Sequence, residues 1–253
     1  MSEQTTPARS AAHLVGRLML AEIRVFLRQP VMLALTLLLP AGLLLMTGLV
    51  DVPGTRGDWA RVAGRHVVAV QCITVYFVAL NILTARRHTL ALKRLRTTAL
   101  PDLGIIAGLL SAPLLAGTFQ IIVVLLGLFA LGAPVPANPV LALLGAVSGM
   151  VVAVLAGVVT SIVTSSPEKA VWTMMPLFIA TMGAESALAT MGEGAGQLVM
   201  RLVPMVANAN LVFAGWLGSQ PLVTIAADIG IVICWLGVFS LLGWRTFRWE
   251  RRR

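Results

Sequence analysis

The chain alternates between long apolar runs and short polar breaks. Six runs reach about 20 residues or more, the length a helix needs to cross roughly 30 Å of hydrocarbon. They are Val31–Val50, His66–Ala85, Gly104–Leu131, Pro139–Thr164, Val171–Thr190 and Pro221–Trp244. This pattern predicts an all-α integral membrane protein with six transmembrane helices within residues 31–244. Ahead of the first run, residues 1–9 read as a polar, disordered tail, and residues 10–30 as an amphipathic helix ended by Gln29-Pro30. His13, Arg17, Ala21, Arg24 and Arg28 recur every three or four residues and form a narrow polar stripe. Leu14, Val15, Leu18, Met19, Ile23 and Phe26 occupy the rest of the surface, so the helix is expected in the membrane interface with its arginines among headgroups. Glu22 sits across from the stripe without an evident role. No short apolar core followed by a small-residue cleavage site occurs in residues 1–30, so the first run reads as a retained anchor.

One further segment, Ala195–Leu217, is long enough to compete as a seventh span, but it carries Arg201, Pro204, Asn208 and Asn210. An arginine at a helix centre costs about 2.5–3.5 kcal/mol on insertion scales. Residues 191–218 are therefore expected to form a helix–break–helix, re-entrant or interfacial, on the outer side.

Composition agrees with a membrane protein: of 253 residues, 58% are hydrophobic and only 11% charged, with a mean hydropathy of +0.92. Soluble domains carry about 25% charged residues, so a soluble enzyme is excluded. The net charge of +9 would suggest nucleic acid in a soluble protein; here its placement sets orientation instead. With both termini inside, fifteen of the nineteen Lys and Arg residues fall on the inner side, leaving Arg56, Arg61, Arg65 and Arg201 outside. Positive charge favours cytoplasmic loops, which predicts N-in, C-in. Cys72 and Cys234 lie within apolar runs and read as small core hydrophobes.

The inner segment 86–102 reads RRHTLALKRLRTTALPD, about four turns of basic, helix-forming sequence ended by Pro101. Leu90, Leu92 and Leu95 offer an apolar knob rimmed by Lys93, Arg94 and Arg96. An interfacial N-terminal helix, six spans, this LKRLRTT string and the basic C-terminal tail 245–253, with its RTFRWE, together resemble the type-2 ATP-binding-cassette transporter permeases, also called ABC-2 or type V exporters. The resemblance is to bacterial multidrug, antibiotic or lipid exporter permeases. It implies that residues 10–30 are the connecting helix and 86–102 the coupling loop docking on an ATP-binding-cassette ATPase subunit. It further implies an outer re-entrant helix after the fifth span, a second permease as homodimer or paralogue, and location in the bacterial cytoplasmic membrane. Chain and family differ at Ala85-Arg86-Arg87 and Ala99, around the coupling segment, and at Met182-Gly183-Ala184-Glu185 in the fifth span.

No GxxxxGK[ST] string is present, so ATP and Mg belong to the partner subunit and this chain binds no cofactor of its own. HExxH, GxSxG and CxxC are also missing, so neither catalytic residues nor a metal site are expected, and no nucleic-acid partner. Within the spans, Gly145, Gly149, Ala153, Gly157 and Ser161 recur every four residues, a smooth face for close packing within the subunit or between subunits. Glu185 and Asp228 are intramembrane carboxylates at similar depth to Gln71 and Gln120, a possible polar outer gate or a structural cluster. Tyr76, Phe77, Met174, Met175, Phe178 and Met182 could line an apolar substrate path or simply pack. An ATP-independent transporter, a channel or a membrane assembly factor is the alternative class, although no inverted repeat relates the two halves.

Overall fold

The computed structural model describes residues 8–50, 52–89, 100–191 and 194–246. All regular structure among them is helical. In chain order the helices are α1 (Ala8–Leu27), α2 (Pro30–Leu49), α3 (Arg56–Val70) and α4 (Phe77–His88), with a π-helical segment, Gln71–Tyr76, joining the last two. After them come α5 (Asp102–Ala130), α6 (Pro139–Val163), α7 (Ala170–Thr190), α8 (Ala195–Arg201), α9 (Val206–Leu217) and α10 (Leu222–Thr246). Five helices among the described residues are long and apolar enough to cross a membrane. This is the architecture of an all-α, multi-pass membrane protein. The first expected span coincides with α2, of which Thr36–Leu49 is an apolar stretch shorter than the other five.

Helix boundaries follow local chemistry. Pro30 and Pro139 open α2 and α6, where a missing N–H costs nothing. Asn138 Oδ1 accepts from the Leu141 amide, 3.1 Å away. Thr55 caps α3 through a reciprocal box: its hydroxyl accepts from the Asp58 amide, and the Asp58 carboxylate accepts from the Thr55 amide at 3.0 Å. Gly218 closes α9 at φ 79°, a conformation glycine adopts freely, and a Cβ there would come within 2.4 Å of Ala137 Cβ.

Three expectations need correction. The second span is much longer than His66–Ala85: one continuous helical rod runs from Arg56 to His88, 33 residues or roughly 50 Å at the usual rise. Its capping box starts the helix ten residues before the apolar run, so Arg56, Arg61 and Arg65 ride on a helix and not on a loop. The amphipathic helix begins at Ala8, inside the tail assigned to disorder. It is also bolted to the bundle. Its polar stripe is exposed, but Val15 and Leu18 press on Gly104 and Gly108 of α5, and Phe26 is buried with Val78, Ala112 and Ala116.

The third correction concerns the helix–break–helix. Its form is as expected, with the break at 202–205, where Pro204 lacks an N–H and Met205 takes a left-handed φ of 69°. The exposed carbonyls are satisfied from outside: Thr181 Oγ1 donates to Pro204 O at 3.0 Å and Trp235 Nε1 to Leu202 O at 2.8 Å. An interfacial position fails for α9, however, because nearly all of it is buried between α3 and α6. Glycines make that approach possible. A Cβ on Gly64 would lie 2.8 Å from Ala209 O, one on Gly145 2.6 Å from Asn208 O, and one on Gly215 2.5 Å from Ala142 N.

Candidate functional site: a charged cleft at one end of the bundle

Arg61 and Arg65 are one helical turn apart and therefore share a face of α3. That face meets the C-terminal end of α7, the break between α8 and α9, and the start of α10. Together they enclose a cleft of about 510 Å³, in the size range of small-molecule sites. Arg61, Glu185, Arg201, Asn210, Gln220 and Thr224 supply polar groups to its wall, while Leu188, Leu198 and Phe213 supply apolar ones.

Two charge pairs hold this end together. Arg65 Nε donates to Glu185 Oε2 at 3.3 Å, with Arg65 half exposed and Glu185 buried at 8%. Asp228, 1% exposed, lies behind the cleft wall. It accepts from Asn210 Nδ2 at 3.2 Å and stands 3.9 Å from Arg201 Nη1. Arg201 Nη2 in turn donates to Gln197 Oε1 at 3.3 Å. A buried carboxylate needs such partners, because its desolvation costs several kcal/mol.

Gln71 and Gln120 do not join this group. Both are fully buried cross-braces between helices: Gln71 Nε2 donates to Ala146 O at 3.1 Å and Gln120 Nε2 to Thr36 O at 3.0 Å. Of the four polar residues expected together, only Glu185 and Asp228 lie at this end, with three arginines. From sequence alone Arg61, Arg65 and Arg201 stand out only as outer charges. Their i, i+4 spacing and the Arg-Asn-Asn content of the apolar segment 195–217 were the signals.

The six apolar path residues do not line this cleft. Tyr76 and Met174 are closed inside the bundle, the Tyr76 hydroxyl 3.1 Å from Thr160 Oγ1, and Phe77, Met175, Phe178 and Met182 are half-buried. The ladder on α6 is buried throughout and packs inside this chain. Gly145 meets α9, Gly149 meets the Gln71 amide, and Gly157 lies against Tyr76, Ala79 and Leu80. No three His, Cys, Asp or Glu side chains among the described residues come together as a metal would require.

No protein family, curated protein or solved structure matches the chain.

At the opposite end of the long rod lies the segment 86–102. Leu90, Leu92, Lys93, Arg94, Leu95 and Arg96 fall outside the described residues. The base of the segment is described, and it is anchored twice. Arg86 Nη2 donates to both oxygens of Glu22, at 2.7 and 2.8 Å. This accounts for Glu22: buried at 7%, it is the α1 end of a bridge to α4. Arg87 Nη2 donates to the carbonyls of Ser161 and Thr164 at the end of α6, where a cation complements the free carbonyls and the helix dipole. A smaller cleft of about 240 Å³ beside the Glu22–Arg86 bridge is walled by Val25, Phe26, Val78 and Ile82.

Proposed function

We propose that the chain is the transmembrane permease subunit of an ATP-binding-cassette exporter. In this reading it moves a small amphiphile, such as a drug, peptide antibiotic or lipid, across the bacterial cytoplasmic membrane. A separate ATPase subunit holds ATP and Mg, and a second permease completes the pathway. All six apolar runs span the bilayer, with both termini inside. The charged cleft then opens on the outer side, and residues 86–102 face the ATPase.

The observation that carries the reading is the basic segment after His88 and the way its base is held. Arg86 and Arg87 fasten the end of α4 to α1 and α6, so the sequence that follows, which has the composition of a docking helix, starts from a fixed point. The mostly exposed apolar surfaces of α7 and α10, including Trp172, Ile179, Ile233 and Trp244, leave area for lipid and for a second subunit.

Co-purification tests it. The tagged chain, co-expressed with the ATP-binding-cassette ATPase proposed as its partner, retains that subunit through detergent extraction. Leu92→Asp/Leu95→Asp loses it at unchanged membrane expression. Failure of the parent chain to retain the ATPase rejects the proposal.

A further inference from the structure

The carboxylates at the charged cleft have partners of their own, although Asp228 Oδ1 accepts no hydrogen bond and only faces Arg201 at 3.9 Å. Glu185 is taken by Arg65. Asp228 is sealed behind the wall with Asn210 and Arg201. Asp58, one turn from Arg61, is bound to the Thr55 amide and hydroxyl at 3.0 and 2.7 Å. Arg61, Arg65 and Arg201 equal Glu185, Asp228 and Asp58 in number, so what is left over is guanidinium donors and not net charge. Arg61 lines the cleft, is exposed, and makes no hydrogen bond or ion pair with any described residue. Arg201 also lines the cleft, and its Nε is buried without a hydrogen-bond partner. Each guanidinium is a planar fork of donors with no acceptor, matched to carboxylate and phosphate oxygens. Neutral donors at Asn210 and Gln220 and apolar walls at Leu188, Leu198 and Phe213 stand beside them.

We propose that this cleft binds the anionic head of an amphiphile, a phosphate or carboxylate gripped by Arg61 and Arg201, with its apolar portion against Leu188, Leu198 and Phe213. This deepens the exporter reading and rests on it for the meaning of the site: the cargo carries an anionic group that is received at the outer end of the pathway. The same head could come from a bilayer phospholipid, and the experiment separates the two sources.

The full-length chain is reconstituted alone in phosphatidylcholine nanodiscs and titrated with decyl phosphate below its micelle concentration. Decyltrimethylammonium and inorganic phosphate serve as comparisons. Decyl phosphate saturates a single site; inorganic phosphate binds more weakly, and the cationic amphiphile binds at least tenfold more weakly. Arg61→Gln, an exposed position whose loss leaves the packing intact, weakens decyl phosphate binding about tenfold, the worth of one charged hydrogen bond. Arg201→Lys, which keeps a cation beside Asp228, weakens it as well. In nanodiscs containing phosphatidylglycerol, unchanged affinity assigns the site to cargo, and competitive loss assigns it to a bilayer lipid. Equal binding of the two amphiphiles, or parental affinity in Arg61→Gln, overturns the inference. Because no ATPase is present, that result with co-purification intact removes the anion site alone. Anion binding without ATPase capture removes the exporter reading instead.

Discussion

A methyl group on Gly149 would come within 2.3 Å of the Gln71 amide, which is held by the Ala146 carbonyl. Gly149→Ala therefore displaces Gln71 and strands a buried polar group. It lowers unfolding stability in detergent by about 1–3 kcal/mol, the usual cost of overpacking. Shortening the neighbour to Gln71→Ala makes room, so the two substitutions are not additive; a double-mutant cycle yields a coupling of about 0.5–3 kcal/mol. Additive losses would show that the amide does not occupy the ladder. Glu185→Gln removes the charge that faces Arg65 while keeping the side chain's shape. The protein accumulates in the membrane at parental levels, and transport changes; a well-expressed variant with normal transport refutes a role for the pair.

Among the elements, α9 makes the closest glycine-to-backbone approaches, and different forces act there with different strengths. Asn208 Nδ2 donates to Ser148 Oγ at 2.8 Å, and hydrogen bonds between membrane helices average about 0.6 kcal/mol. Gly145 instead faces the α9 backbone itself, 2.6 Å from a Cβ to Asn208 O and 2.8 Å to Val212 N, and backbone cannot rotate away. Gly145→Ala is thus more damaging to thermal stability than Asn208→Ala; the reverse order in a detergent melt would contradict this packing. At α1, Glu22→Gln loses a charge-assisted bridge of about 1.5–3 kcal/mol and exposes residues 8–29 to limited proteolysis. Pairing it with Arg86→Gln restores part of the protection, since no unpaired, half-buried guanidinium then remains.

These elements were legible in unequal measure. The apolar runs bounded by Pro30, Pro101 and Pro139 marked the helices, because span length and helix starts are local properties. The four-residue ladder on α6 likewise announced a close-packed face. Partners 64 or 120 residues apart, Glu22 with Arg86 and Arg65 with Glu185, leave no period in the chain, so only the fold could pair them. The extent of the second helix was hidden because its start rests on two polar residues, Thr55 and Asp58, ahead of any apolar signal.

For the whole molecule, the arrangement sorts its charges to two ends: Arg61, Arg65 and Arg201 at the cleft, Arg86 and Arg87 at the other end of the rod. Orientation is testable by labelling. In a Cys234→Ala background, where the remaining Cys72 is buried, Val135→Cys reacts with an impermeant maleimide on intact cells, whereas Gln29→Cys reacts only after lysis. Labelling of both from outside would break the proposed six-span topology and with it the proposed placement of the cleft on the outer side.

Adjacent arginines at the end of α4 grip separate bodies, Arg86 the first helix and Arg87 the terminus of α6. A tether anchored at one point can swing and dissipate a push as slack. Anchored at two, with the rod Arg56–His88 behind it, the root of the segment behaves as a welded joint. A displacement applied beyond Thr89 is passed on as a tilt of that whole shaft, whose far end carries Arg61 and Arg65. In the proposed exporter, stiffness of the joint, more than the strength of either grip, then determines how much of a stroke at one face reaches the other.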